Sequence, residues 1–348
     1  MKTQRIIMSD LVLLTGISGF VGSHVALQLL KEGYRVRGSV RNLEKSEKVR
    51  QTLKAHGADI SQLEFVALDL NEDEGWSEAM QGARYLQHVA SPFVTTMPDD
   101  RMELINPAVK GTSRAIEAAL KAKVERIILT SSMAAISYGH GKDHTAPFNE
   151  DDWTNINSAE VNAYTESKTL AEKKAWEIME NAGRRNDLSV INPSLIFGPL
   201  LDDDAGTSGA LILRLLNGSI PATPRFYFPI IDVRDVAFMH LKAMTEQQAG
   251  GKRFITASNG LWFKELSDAM KTALPQYSKK LPKFSMPDWG VRLYSLFDKD
   301  VRGNLSALGV KHELDNSLGK ALMEREFISA DEAVIAMANS LLEQGLCD

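Results

Sequence analysis

Leu11-Val12-Leu13-Leu14-Thr15-Gly16-Ile17-Ser18-Gly19-Phe20-Val21-Gly22 decides the reading of this chain. Four apolar residues without a polar break predict a buried strand. A glycine-spaced turn follows, and then Gly22–Glu32, whose pattern predicts a helix. Small residues let the turn's backbone approach a pyrophosphate, and the helix start supplies unpaired N–H groups and a favourable dipole. The spacing is G-x-x-G-x-x-G rather than the tighter dinucleotide fingerprint, and a glycine triplet alone would be a plain turn. Its place between a first strand and a first helix makes it a cofactor loop, with Gly16, Ser18, Gly19, Phe20, Val21 and Gly22 as candidate contacts.

Outward from this loop, short apolar runs alternate with longer helical stretches as far as Asn192. Strands are predicted at Leu11–Thr15, Arg35–Ser39, Leu63–Leu68, Tyr85–Ala90, Arg126–Ser131 and Leu188–Asn192. Helices are predicted at Gly22–Glu32, Leu43–His56, Trp76–Gln81, Pro107–Lys121 and Ala159–Ala182, with Asn106 capping a helix that begins at Pro107. Such alternation predicts an α/β fold of Rossmann type, a doubly wound parallel sheet with helices on both faces. Five prolines between Pro193 and Pro229 then break the regularity. Residues 1–192 are therefore expected to bind the cofactor, with 230–258 returning to that domain. Residues 193–348 are expected to form mainly a smaller substrate-binding lobe, with helices at Ala210–Leu216, Leu261–Leu274 and Ala330–Leu342.

Composition narrows the partners. The 348 residues are 44% hydrophobic and 24% charged, with a net charge of -5, which favours a globular chain and gives no general attraction to nucleic acid or anionic membrane. Lys2 and Arg5 precede an apolar run as in a signal peptide, but Asp10 breaks that pattern and the run reads as the first strand. No apolar run approaches the roughly 20 residues of a membrane span. One cysteine, Cys347, excludes an internal disulfide and reads as an inert thiol in a frayed tail. A cytoplasmic monomer or homodimer acting on a small molecule is expected. No metal is expected: His88 ends a buried strand, His240 lies on the apolar helix Val236–Met244, and no spacing resembles a zinc site.

The end of the second strand selects the cofactor. An NAD site places a carboxylate there for the ribose 2′-hydroxyl, whereas this chain reads Tyr34-Arg35-Val36-Arg37-Gly38-Ser39-Val40-Arg41. Arg41, just past the strand, stands where a 2′-phosphate would lie, and Lys48 is placed to assist; Arg35 reads as a solvated edge residue. The expected cofactor is NADP(H).

Hydride reduction of a carbonyl needs a proton donor, and a tyrosine serves when a nearby ammonium draws its pKa toward neutrality. An i,i+4 spacing puts both groups on one helix face. Tyr138 and Lys142 have this spacing, but Gly139 and Gly141 intervene. Tyr164 and Lys168 open a strongly helical run and are the candidate pair. Thr130-Ser131-Ser132 ends the fifth strand; alternation turns one serine to the site, and Ser132 is preferred over Ser131 as the group that holds the substrate oxygen. Phe93, Met133, Tyr138, Ser194, Leu195 and Tyr227 are candidate pocket residues, a largely apolar set that suggests a hydrophobic ketone or aldehyde. Asp202-Asp203-Asp204 reads as a solvated loop able to shape the pocket mouth, and Glu150-Asp151-Asp152 as turn and cap chemistry.

With these motifs in order the chain resembles the extended short-chain dehydrogenases/reductases, and within them the branch of dihydroflavonol reductases, cinnamoyl-CoA reductases and yeast-type ketone or methylglyoxal reductases. The resemblance runs through Thr15–Gly22, Val36–Arg41, Leu68–Leu70, His88–Pro92, Pro107–Thr112, Thr130–Ser132, Tyr164–Lys168, Asn192–Pro199 and Asp232–Ala237. It implies that Asp69 and Leu70 border the adenine, Ala90 and Ser91 the ribose and pyrophosphate side, and Pro193 the nicotinamide. It also implies that Arg41 binds the 2′-phosphate and that Lys168 holds the nicotinamide ribose. The family often carries Leu-Gly-Trp-x-Pro near the C-terminus, where this chain has Leu322-Met323-Glu324-Arg325-Glu326-Phe327. Two other functions fit the fold: a nucleotide-sugar epimerase or dehydratase, and an NADP(H)-sensing regulator. The missing 2′-hydroxyl carboxylate and the run Met133-Ala134-Ala135 after Ser132 weigh against the first, the intact Ser/Tyr/Lys set against the second.

Overall fold

A computed structural model describes residues 10–92, 98, 100–141, 144–297, 301–302 and 305–347. Its strands in chain order are β1 (Leu11–Thr15), β2 (Arg35–Val40), β3 (Leu63–Ala67), β4 (Tyr85–His88), β5 (Arg126–Thr130), β6 (Leu188–Pro193), β7 (Leu195–Phe197), β8 (Ala222–Thr223), β9 (Tyr227–Asp232), β10 (Lys252–Thr256), β11 (Gly260–Trp262) and β12 (Phe284–Ser285). Seven of them form one parallel sheet in the order β3-β2-β1-β4-β5-β6-β10. The order reverses between β1 and β4, so the loops leaving these two strands diverge and open a crevice at the C-terminal sheet edge.

The main helices are α1 (Phe20–Lys31), α2 (Ser46–Ala55), α3 (Trp76–Met80), α4 (Met102–Lys121), α5 (Ala163–Asn181), α6 (Gly206–Leu216), α7 (Val233–Thr245) and α8 (Phe263–Ala273). The unbroken apolar run of β1 feeds both sheet faces. Val12 and Leu14 pack with Val25, Ala26 and Leu29 of α1 and Val236 of α7. Leu13 packs on the other face with Ile116 of α4 and Ala175 and Met179 of α5. Leu13 is fully buried, so its truncation to alanine costs about 2–5 kcal/mol. A separate core joins α6, α8 and the helix Ala330–Glu343 around Phe197 and Ile230.

Three local expectations are corrected. Helix α4 begins at Met102, not Pro107: Asp100 accepts the Met102 N–H at 2.9 Å, and burial of Leu104 and Ile105 carries the helix through the proline. Asn106 is therefore an interior residue and not a cap. Helix α5 begins at Ala163, not Ala159, because the Asn162 side chain accepts the Thr165 N–H at 2.9 Å. Cys347 is not in a frayed tail; it is partly buried against the core of α6, α8 and the C-terminal helix. Among the described residues no helix is long and apolar enough to cross a membrane.

Candidate active site

Six strand ends bring the candidate residues to one edge. The register sets Thr15 opposite Ser39 on one side and His88 on the other, so the glycine loop, Arg41 and Ala90 leave the sheet together. Thr15 ties this edge: its Oγ1 accepts the Ala90 N–H at 3.1 Å and bonds His88 Nδ1 at 2.9 Å. The loop at Asp69 and Leu70 follows β3, which pairs with β2 as far as Val40 opposite Ala67. Asp69 Oδ1 accepts the Asn71 N–H at 2.8 Å, a local turn that fixes this loop.

Two glycines are required by the loop itself. Gly16 has φ of +74°, and a Cβ there would lie 2.9 Å from Ala90 Cα. A Cβ at Gly22 would lie 2.0 Å from the Gly16 carbonyl oxygen. Gly19 is different: a Cβ would meet only the Gly16 oxygen at 3.5 Å, so its outer side is open. No side chain caps α1 at Gly19, and Ser18 and Gly19 are exposed. An open, uncapped helix start beside a closely packed turn suits a pyrophosphate.

Arg41 is exposed and forms no ion pair among the described residues, so its guanidinium is free for an anion. Lys48 is engaged otherwise: it pairs with Asp203 and, at 3.7 Å, with Asp202. The hydrogen bond to Asp203 pushes the Lys48 pKa up and the Asp203 pKa down. The acidic triplet is thus more than a solvated loop; it clasps the helix that follows Arg41.

Helix α5 presents Tyr164 and Lys168 one turn apart, with the Lys168 Nζ 6.0 Å from the centre of the Tyr164 ring. The two serines after β5 diverge. Ser131 is buried and donates to Glu172 Oε2 at 2.5 Å. Ser132 accepts the Ala134 N–H at 3.1 Å, and its hydroxyl acts on the Tyr164 phenol, lowering its pKa. Burial acts the other way and dominates, so the Tyr164 pKa lies above the ordinary tyrosine value, opposite to the direction expected from the nearby ammonium. Burial also pulls the Lys168 pKa down to about 8, against the raising effect of Glu172.

The pocket candidates divide. Burial, with a smaller contribution from nearby Tyr164, pushes the Tyr138 pKa up to about 12. Met133 is buried in the turn after Ser132. Pro193 ends β6 opposite Thr256, the Ser194 N–H bonds the Thr256 carbonyl at 3.0 Å, and half-buried Leu195 opens β7. The buried Ser194 hydroxyl has no partner among the described residues. Tyr227 stands apart: its ring packs edge-on to Trp262 at 5.2 Å, with the Lys311 ammonium 5.5 Å from its centre. Phe93 and Lys142 lie outside the described residues.

The two histidines weighed as metal ligands are both satisfied. His88 bonds Thr15, and His240 bonds Thr130 at 3.0 Å and Gln87 at 2.6 Å. No group of three His, Cys, Asp or Glu among the described residues could hold a metal. Glu150 does more than turn chemistry, since its Oε1 accepts the Ile255 N–H at 3.1 Å. Sequence reading missed the buried residues behind the serines, namely Glu172, Asn192 and Arg253. The signal for Glu172 was its spacing, one further turn along the face of Tyr164 and Lys168.

Residues 12–256 match the family model of the NAD dependent epimerase/dehydratase family. The chain belongs to this family. Cinnamoyl-CoA reductase CAD2 of Medicago truncatula is 35% identical over 251 residues, 70% of this chain and 75% of that one. The putative NADPH-dependent methylglyoxal reductase GRP2 of Candida albicans is 31% identical over 294 residues, 79% of this chain and 86% of that one. Among solved structures, yeast methylglyoxal/isovaleraldehyde reductase Gre2 complexed with NADPH aligns over 96% of this chain and 99% of that one, with a TM-score of 0.77 and 27% identity. The membership agrees with the extended short-chain dehydrogenase/reductase resemblance and with the Rossmann-type sheet.

Proposed function

We propose that this protein is a carbonyl reductase that converts a hydrophobic ketone or aldehyde to its alcohol, with Tyr164 as proton donor. It is an NADP(H)-dependent reductase of the extended short-chain dehydrogenase/reductase kind. The relatives carrying reductase names support the reaction class, and the Gre2 complex with NADPH supports the cofactor. The donor set at the sheet edge fits that cofactor: an uncapped helix start, an Arg41 with no ion pair among the described residues, and no carboxylate at the end of β2.

The observation that carries the reading is the convergence of Ser132 and Lys168 on Tyr164 from two different elements. When bound, NADPH supplies the hydride that the carbonyl carbon accepts. Ser132 holds the carbonyl oxygen by hydrogen bonding, and Tyr164 gives that oxygen its proton as the C–O double bond becomes single. Lys168 stabilises the phenolate left on Tyr164, and solvent returns the proton. Gly16, Ser18, Gly19, Phe20, Val21 and Gly22 would line the pyrophosphate, with Ala90 and Ser91 across the crevice and Asp69 and Leu70 beside the adenine. Pro193 would border the nicotinamide. Met133, Tyr138, Ser194 and Leu195 would surround the substrate, and their largely apolar surfaces suit an uncharged carbonyl compound. The buried Met133-Ala134-Ala135 turn after Ser132 brings no acid to the site, which supports a reductase over a dehydratase.

The test follows NADPH and NADH oxidation with a panel of aliphatic and aromatic ketones and aldehydes, for the parent protein and Tyr164→Phe. NADPH-dependent turnover that falls at least about a hundredfold in the variant is expected. Equal turnover in the two proteins would remove Tyr164 from the reaction, and a preference for highly charged substrates would overturn the assigned class.

A further inference from the structure

Behind Ser132, Tyr164 and Lys168 lies a carboxylate with no part in the chemistry just described. Glu172 is buried, yet both its oxygens are filled. Oε1 accepts Arg253 Nε at 2.6 Å and Trp176 Nε1 at 3.3 Å; Oε2 accepts Ser131 Oγ at 2.5 Å and Asn192 Nδ2 at 2.7 Å. The donors come from the loop after β5 and from β6 and β10, besides α5 itself. Asn192 Nδ2 also donates to the Ser132 carbonyl at 3.2 Å, so one amide joins Glu172 to the backbone of the proposed substrate-holding serine.

Arg253 is equally constrained. It is 7% exposed and lies 3.8 Å from the centre of the Trp153 ring. It donates to the carbonyls of Glu150 at 2.8 Å and Asp152 at 2.6 Å. A buried ion pair of this kind is a weak source of stability, because desolvation offsets the attraction. A pair with its hydrogen bonds this fully made holds geometry well.

We propose that Glu172 is the positioning residue of the active site: its carboxylate, neutralised by Arg253, sets the spacing of Ser132 and Lys168 by joining α5 to the ends of β5 and β6 and to β10. The inference rests on the reading of Ser132, Tyr164 and Lys168 as the reacting groups. Glu172 is one helical turn beyond Lys168, on the same face. Its charge supports the Lys168 ammonium against burial, so a change at Glu172 can be read at Lys168. A glutamine would lose the charge and turn an NH2 toward one pair of these groups, so that Asn192 and Ser131 would have to reorient to accept from it.

The experiment compares Glu172→Gln, Glu172→Asp and Arg253→Gln in the full-length protein. It reads kcat, KM and the pH profile, and follows Lys168 directly by 13Cε-lysine NMR titration, assigned with Lys168→Met. In Glu172→Gln, kcat is expected to fall about tenfold to a hundredfold, with the Lys168 titration moved to lower pH. Glu172→Asp keeps the charge and is expected to restore the titration without full kcat. Arg253→Gln leaves the carboxylate unneutralised and is expected to move the titration to higher pH. A Lys168 titration unmoved in both neutralising variants, or a kcat within twofold of the parent in Glu172→Gln, overturns the proposal. If Glu172→Gln fails to fold, the Arg253→Gln titration alone decides, an unmoved Lys168 overturning it. Full turnover in Lys168→Met would instead sink the reading of the reacting groups, whatever Glu172 does.

Discussion

Arg41 leaves β2 at the edge where the glycine loop leaves β1, and its guanidinium is exposed without an ion pair among the described residues. Replacing it with alanine removes a cation that makes no ion pair among the described residues. A guanidinium gripping a phosphate through two charge-assisted hydrogen bonds contributes about 2–3 kcal/mol net at a partly exposed site. At 1.4 kcal/mol per factor of ten, Arg41→Ala should lower kcat/KM for NADPH by roughly 30- to 150-fold. The value for NADH, which lacks the 2′-phosphate, should hold within about twofold, and the NADPH effect should shrink as salt rises. Lys48 sharpens the test because Asp202 and Asp203 already hold its ammonium. A phosphate must win it from two carboxylates, so Lys48→Ala should cost about fivefold or less. The assay is initial-rate oxidation of both cofactors at two ionic strengths. Equal losses with NADPH and NADH in Arg41→Ala, or a larger NADPH loss in Lys48→Ala, would refute the assignment.

The remaining predictions concern the serines and the buried histidines. Ser132→Ala should reduce kcat about 10²- to 10³-fold, as loss of an oxygen-holding donor does; Ser131→Ala should cost far less. An equal loss in both would mean that the divergence of the two hydroxyls has no catalytic meaning. His24, His88 and His240 are held neutral by burial, their pKa values lowered to about 4, 3 and 3. The unfolded chain protonates near pH 6.5 while the folded one does not, so their contribution is full above that value and is lost as pH falls toward 3–4. With three groups the loss reaches about 4 kcal/mol per pH unit between roughly pH 6 and 4. Urea midpoints at pH 7 and pH 5 measure it, and an unchanged midpoint would show that these rings titrate in the folded state.

What could be read from the sequence depended on how far each signal reached along the chain. Strand and helix alternation is local, so the six predicted strands appear within a few residues of their observed bounds, and the run Leu11–Leu14 correctly announced a buried strand. Element starts were less legible where a side chain two or three residues away decides them, as Asp100 does for α4 and Asn162 does for α5. Pro107 misled because proline favours a first turn, whereas buried Leu104 and Ile105 pull the preceding turn into the helix. The Tyr164–Lys168 pair was visible as an i,i+4 spacing. What Lys168 faces was not, since Glu172 is set by Asn192 and Arg253, 20 and 81 residues away.

That division explains why the direction of the Tyr164 pKa was missed. A spacing rule sees the ammonium one turn away, and predicts a phenol drawn toward neutrality. It cannot see the depth at which β5, β6 and α5 set the ring, and in the folded protein that depth outweighs the help from Ser132. The same burial pulls Lys168 down to about 8, so near neutral pH the lysine keeps its charge by a small margin. A site built on so small a margin depends on whatever supports that ammonium. The carboxylate that does so lies within the fold, where Arg253 and Asn192 hold it in place. The chemistry proposed for Tyr164 and Lys168 therefore depends on the buried side chains beneath them as much as on the pair itself.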